Sequence, residues 1–193
     1  MLQPRAELWR RGWPWLAVAA TLGAAAFELR RQGRLWFCDC GRVLVWFGDA
    51  WGRETSQQLF DPYSLTHVLH GFALAGLLAL VLPRAGWRLR LWLAVAAEAA
   101  WEVFENTEFV VNRYRETTAA LGYNGDTVIN SLGDVLACAL GALVARRLGA
   151  WRTALLFALT EVVLLLWIRD SLLLNVLLLL YPSERLRAWQ AGH

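Results

Sequence analysis

Apolar positions along the chain gather into five long tracts, with one polar stretch of about thirty residues between the first and the second. A transmembrane helix needs roughly 20 mostly apolar residues to cross the hydrocarbon core of a bilayer. Four tracts reach or approach that length: 13–29, 63–82, 91–111 and 127–145. The fifth, 153–168, is cut by Arg169-Asp170, and 171–181 is apolar again but too short to span alone. That last piece either ends one long tilted helix or forms a short re-entrant or interfacial helix. The pattern predicts an all-α, polytopic transmembrane helix bundle of about five spans plus a short C-terminal apolar helix, a single membrane domain over 1–193 with a loop over 30–62.

Composition agrees with a membrane solvent. The chain has 193 residues, 58% of them hydrophobic, more than a soluble domain of this length usually carries. All 19 basic residues are arginine, and the formal charge of +3 is too small to argue for a nucleic-acid partner; the partner implied is membrane lipid. Arginine in short loops sets orientation. With the N-terminus in the cytoplasm, the inner side holds Arg5, Arg10 and Arg11, then Arg84, Arg88 and Arg90, then Arg146, Arg147 and Arg152, and its two tight loops contain no acid. The arginines of the outer loop are diluted and offset by Asp39, Asp49, Glu54 and Asp61. Tryptophans near both boundaries match an aromatic belt. The basic, then apolar N-terminus also describes a signal peptide, with Ala24 to Ala26 as a small-residue cleavage site; an uncleaved first span is preferred because four more follow it.

Against that apolar ground, ionisable groups fall at helical spacing. The second span carries Ser64, His67 and His70, and the third Glu98, Glu102 and Glu105 with Asn106 beside the last. The fourth carries Asp126, Asn130 and Asp134. Residues three and four apart share one helix face, so three spans each present one polar stripe. At about 1.5 Å per residue, His67, His70, Asn130, Asp134, Glu105 and Glu102 all lie within roughly 6 to 14 Å of the outer face. Glu98 falls deeper. The stripes are expected to meet in one pocket in the outer third of the bundle, with Arg169 and Asp170 placed to cap it. Arg169-Asp170 is also readable as a structural ion pair.

Charged groups inside a span cost several kcal/mol unless paired or hydrated, which makes them candidates for function. Two chemistries fit. His67, His70 and Asp134 or Glu102 can hold a divalent metal such as zinc or iron, with Glu105 as general base in a hydrolysis. The same groups can instead relay protons or bind a polar head group. Interhelical hydrogen bonding without chemistry is the plainest alternative, above all for Ser64 and Asn130. In the outer loop, Cys38-Asp-Cys40-Gly reads as a disulfide, as free thiols or as part of a metal site. Cys138 reads as a packing residue. No Gly-rich phosphate loop, Gly-x-Ser-x-Gly elbow or His-Glu-x-x-His motif is present.

The runs Cys38-Asp-Cys40-Gly41, Ser56-Gln57, Tyr63-Ser-Leu-Thr-His67-Val-Leu-His70-Gly71, Trp101-Glu-Val-Phe-Glu105-Asn106-Thr107, Gly125-Asp126, Asn130-Ser131 and Arg169-Asp170 through Asn175 stand in a characteristic order. In them the chain resembles an uncharacterised alphaproteobacterial inner-membrane protein family, a domain of unknown function, from about Gly33 onward. The resemblance implies a cell inner-membrane location and no activity. Gln58 and Pro62 stand where the family pattern implies His and Trp, and Trp167 and Tyr181 where His occurs, which leaves His67 and His70 as the histidines of the cluster. The order of His, Glu and Asp-to-Asn on successive spans is faintly similar to VanZ-like membrane proteins, which implies envelope or lipid-linked work.

Three functional classes follow: a metal-dependent hydrolase of a lipid or lipid-linked substrate, a proton, ion or head-group binding or transport protein, and a non-catalytic assembly subunit.

Overall fold

The computed structural model describes residues 3–120 and 122–192, with side chains from Gly12 onward. Arg5, Arg10 and Arg11, part of the expected orientation signal, have side chains outside that set. Among the described residues there are eight α-helices and no strand: α1 (Gln3–Arg31), α2 (Ser64–Val81), α3 (Trp87–Glu105), α4 (Glu108–Thr117), α5 (Val128–Leu148), α6 (Ala150–Ile168), α7 (Leu172–Leu180) and α8 (Glu184–Ala191). Three of them, α2, α5 and α6, are long and apolar enough to cross a membrane. The expected third span over 91–111 is not one helix. It ends at Asn106, and Thr107 starts α4 in extended backbone with its hydroxyl accepting from the Val110 N–H. A hydroxyl N-cap followed by Glu108 at the positive end of the new helix is a strong local start signal.

The bundle is built around α2 and α5, its most extensively packed pair. A small-residue row on α5, Gly133, Ala137, Gly141 and Ala145, is buried along its length. A Cβ at Gly71 would strike the backbone of Cys138, Gly141 and Ala142, and one at Gly141 would strike the backbone of Val68. The helices therefore meet backbone to backbone, the contact that small residues at four-residue spacing allow. α1 and α3 pack on one side of this pair and α6 on the other. The turn from α5 to α6 takes one residue, Gly149, whose φ of +77° caps both helices.

The loop before α2 is irregular yet fully engaged. The first N–H groups of an α-helix lack partners within it. Here the loop supplies them: Thr127, Val128 and Ile129 donate to the carbonyls of Ser56, Leu35 and Trp36. Asn130 N–H goes to the Thr127 hydroxyl. Asn130 returns the contact by donating its side-chain amide to the Gln58 carbonyl at 2.9 Å.

Short helices close the same end. Arg113 of α4 donates twice to the Leu179 carbonyl at the end of α7, and Ala119 N–H donates to Gln190 of α8. Buried Glu161 of α6 accepts the Leu173 N–H at the start of α7. The predicted short helix at 171–181 is thus α7, separate from α6 because Arg169 turns into the left-handed region at φ +52°.

Apolar side chains cover much of the outside. Leu80, Trp151 and Leu166 are 80%, 77% and 82% exposed, and only 22% of the apolar stretch of α6 is buried. An uncovered apolar surface of this extent marks a face that meets a membrane or another protein.

Candidate functional site

His67 and His70 sit in the first two turns of α2, Glu98 and Glu102 in the last turns of α3, and Asp134 in the second turn of α5. His67 Nδ1 lies 2.6 Å from Glu98 Oε1 and 3.1 Å from Glu102 Oε1. His70 Nδ1 lies 2.8 Å from Glu98 Oε1 and 3.1 Å from Oε2. An ionised carboxylate only accepts, so each ring puts a proton on Nδ1 and donates it to Glu98. In a neutral ring that leaves the Nε2 lone pair for another partner, the arrangement found where a carboxylate orients a metal-ligating histidine. His67 Nε2 faces Asp134 Oδ2 at 3.9 Å, too long for a direct hydrogen bond.

Two groups bring three metal-competent side chains within reach of one another here: His67, His70 and Glu98, and His67, Glu102 and Glu105. With metal bonds of about 2.0–2.2 Å, two ligands on one zinc ion stand about 3–3.5 Å apart. The contacts at 2.6 and 2.8 Å in the first group are hydrogen bonds, so Glu98 positions the rings. The second group differs in kind. Glu102 is fully buried, and neither of its carboxylate oxygens has a hydrogen-bond partner; Asp134 Oδ1 is also unpartnered. Buried polar atoms are almost always satisfied, and an orphaned carboxylate costs more than any neutral group. A cation held among His67, Glu102 and Glu105 would satisfy the Glu102 oxygens.

The site opens into a cleft of about 1000 Å³, lined by His67, Glu105 and Asp134 on its inner side. Its far walls come from the loop, from α4 and from the segment before α5. Tyr114 hydrogen-bonds Glu105. Asn106 ties the break in α3 to that last segment: its amide donates to Asp126 Oδ2 at 2.8 Å, and its Oδ1 accepts the Asp126 N–H at 2.7 Å. Asp126 Oδ1 accepts from the Tyr123 hydroxyl at 3.0 Å. Burial raises the Asp126 carboxyl above its ordinary range, opposed by the bonds from Asn106 and Tyr123. Burial likewise raises Asp61, opposed by the N–H groups of Ser56 and Tyr63. Arg34 crosses the wall, donating to the carbonyls of Asn106 and Asn124.

Residues 29–192 match the family described as protein of unknown function, DUF2585. The chain belongs to that family. It is 42% identical over 178 residues to a UPF0314 protein of Sphingopyxis alaskensis, covering 92% of this chain and 95% of the relative. It is 41% identical to a UPF0314 protein of Paracoccus denitrificans over the whole of both chains. A UPF0314 protein of Rhizobium meliloti is 42% identical, over 98% of this chain and 94% of its own. No solved structure matches the chain.

The remaining candidates of this DUF2585 chain take separate places. Ser64 accepts the Asp61 N–H at 3.2 Å and hydrogen-bonds Asp134. Asn130 holds the loop, as described, and does not line the cleft. Asp170 does line it, where it accepts from Ser171 N–H at 2.8 Å and from the Tyr63 hydroxyl at 3.3 Å. Burial raises its carboxyl to about 7. Arg169 does not pair with it: its guanidinium donates to the Trp189 carbonyl and lies over the Trp189 ring. Cys38 and Cys40 are joined as a disulfide, next to Gln58, which donates to Cys40 Sγ and to Glu54.

Glu98 is the residue that depth placed outside the pocket. Counting from 111 put it too deep; counting from Glu105, where α3 ends, puts it about 10 Å in, level with His70.

Proposed function

We propose that this protein is a multi-pass inner-membrane protein that holds a divalent metal in its polar cleft and hydrolyses a lipid or lipid-linked substrate. In this reading α1, α2, α3, α5 and α6 cross the bilayer, the N-terminus is cytoplasmic and the cleft faces the periplasm. The uncovered apolar surface of α6 and the acid-free arginine clusters at the opposite end support that placement. The observation that carries the chemistry is Glu102, wholly buried beside His67 and Glu105, with no hydrogen bond to either oxygen and only the 3.1 Å approach of a His67 Nδ1 that is already given to Glu98.

His67 Nε2, Glu102 and Asp134 would hold the ion, with Glu98 fixing the ring of His67. A metal bound there supplies Lewis acidity and an activated water at neutral pH. Glu105, at the cleft and hydrogen-bonded by Tyr114, is positioned to take the proton of the attacking water and return it to the leaving group.

A second reading rests on the continuity of the same groups. From the cleft inward Glu105, Glu102, His67, Glu98 and His70 follow one another with ligand atoms no more than 4.8 Å apart, a row of groups that can pass protons.

Elemental analysis of chelator-free, detergent-purified protein separates the two. About one zinc or iron per chain, lost in His67→Ala and Glu102→Gln variants that keep their helical circular dichroism, is the expected result. A folded wild-type chain that takes up neither metal on dialysis overturns the hydrolase and leaves the proton ladder.

A further inference from the structure

The end of the bundle away from the cleft holds a second cavity, of about 620 Å³, where the C-terminal halves of α2 and α5 meet the N-terminal halves of α3 and α6. Its lining is mostly apolar and includes a run of small residues, Ala73, Gly76 and Ala79 of α2, Ala142 of α5 and Ala154 of α6, between larger ones such as Phe72 and Phe157. The volume lies in the range of ligand sites, which are mostly apolar with a few placed polar groups. Here those groups are Arg90 and Arg146, beside Thr153, whose hydroxyl is already donated to the Gly149 carbonyl. The Arg146 guanidinium stacks 4.2 Å over the Trp87 ring, which leaves the donors on its edge free to meet an anion. No acid occurs between residues 83 and 97 or between 146 and 160, and neither arginine enters a salt bridge among the described residues.

We infer that this crevice binds one anionic phospholipid, an acyl chain lying along the small-residue wall and the phosphate held by Arg90 and Arg146. A basic pocket between transmembrane helices on the arginine-rich side is the setting in which anionic head groups are recognised. A zwitterionic lipid fills the same wall but gains less from two unpaired guanidiniums. The site is separate from the polar cleft and rests only on the membrane placement proposed above.

The test is native mass spectrometry of the full chain, delipidated in detergent and then offered equal phosphatidylglycerol and phosphatidylcholine. Phosphatidylglycerol adducts are expected to exceed phosphatidylcholine adducts by about tenfold or more, at roughly 1 kcal/mol per arginine. An Arg90→Gln, Arg146→Gln double variant should bring the ratio close to one. A Cβ at Gly76 meets nothing within 4 Å, so Gly76→Leu should fill the crevice without disturbing the fold and abolish the tight adduct. Equal retention of the two lipids by the wild type, or an unchanged adduct in Gly76→Leu, overturns the site in a chain that needs detergent. A chain recovered soluble without detergent overturns the membrane placement as well.

Discussion

Replacing Glu98 tests whether one carboxylate sets the chemistry of both histidines. In Glu98→Ala, His67 keeps a fallback, since Glu102 Oε1 already lies 3.1 Å from its Nδ1. His70 loses its only hydrogen-bond partner among the described residues. Leaving one buried donor unsatisfied costs about 1–3 kcal/mol. The His70 side chain is 19% exposed, so water recovers part of this and the lower half of the range applies. For a chain of this length, about 1–2 kcal/mol lowers the melting temperature by about 2–8 °C, read by circular dichroism in detergent with chelator present. Glu98→Gln keeps an acceptor oxygen and should recover most of that stability. Metal affinity should fall in both variants by about 10- to 100-fold, the usual effect of removing a group that orients a ligating histidine. Two results would refute the reasoning: an unchanged melting temperature in Glu98→Ala, or undiminished metal content in both variants.

Gly71→Ala should lower the melting temperature by about 2–12 °C, because its Cβ meets backbone and overpacking costs about 1–3 kcal/mol. Gly76→Ala, which meets open space, should be neutral or stabilising by up to about 1 kcal/mol from helix propensity; similar losses in the two would show that α2 and α5 do not meet as described. Asp170 gives a pH dependence. Its folded carboxyl binds a proton up to about 7 that the unfolded chain releases near its ordinary 3.8. Stability from this group is therefore complete below about pH 4 and is lost as pH rises through 7, by up to about 1.4 kcal/mol per pH unit. Asp170→Asn should flatten that part of a pH series of melting temperatures, and an unchanged slope would count against the assignment. Asn106→Leu should detach Asp126 from the end of α3 and cost about 1–3 kcal/mol, whereas a melting temperature equal to wild type would mean that the tie is dispensable.

The apolar tracts and polar stripes were legible because both follow from helical periodicity. Tracts alone predicted the helical character of 13–29, 63–82, 127–145 and 153–168, and spacing alone grouped His67, His70, Glu102 and Asp134. The break at Asn106 was less visible, since Phe109, Val110 and Val111 continue the apolar tract past it. The hydroxyl-acid pair Thr107-Glu108 was the available signal, and reading it as a helix start would have brought Glu98 level with His70. The docking of the loop onto α5 leaves little trace in the residue types beyond Asn130, because the bonds from Thr127, Val128 and Ile129 run from backbone N–H to backbone carbonyl. Leu35 and Trp36 look like an ordinary pair of apolar loop residues.

That docking has a consequence for how the molecule comes into being. The carbonyls of Leu35 and Trp36 wait for N–H groups more than ninety residues later in the chain. During synthesis, α1, α2 and α3 are complete while those carbonyls still face water, and the walls from Arg34 and Ser56 have nothing to close against. Contacts this distant in sequence form late. The cleft is therefore the last part of the protein to assemble, and a chain truncated before α5 keeps His67, His70, Glu98, Glu102 and Glu105 but lacks the wall and Asp134 that complete the cleft.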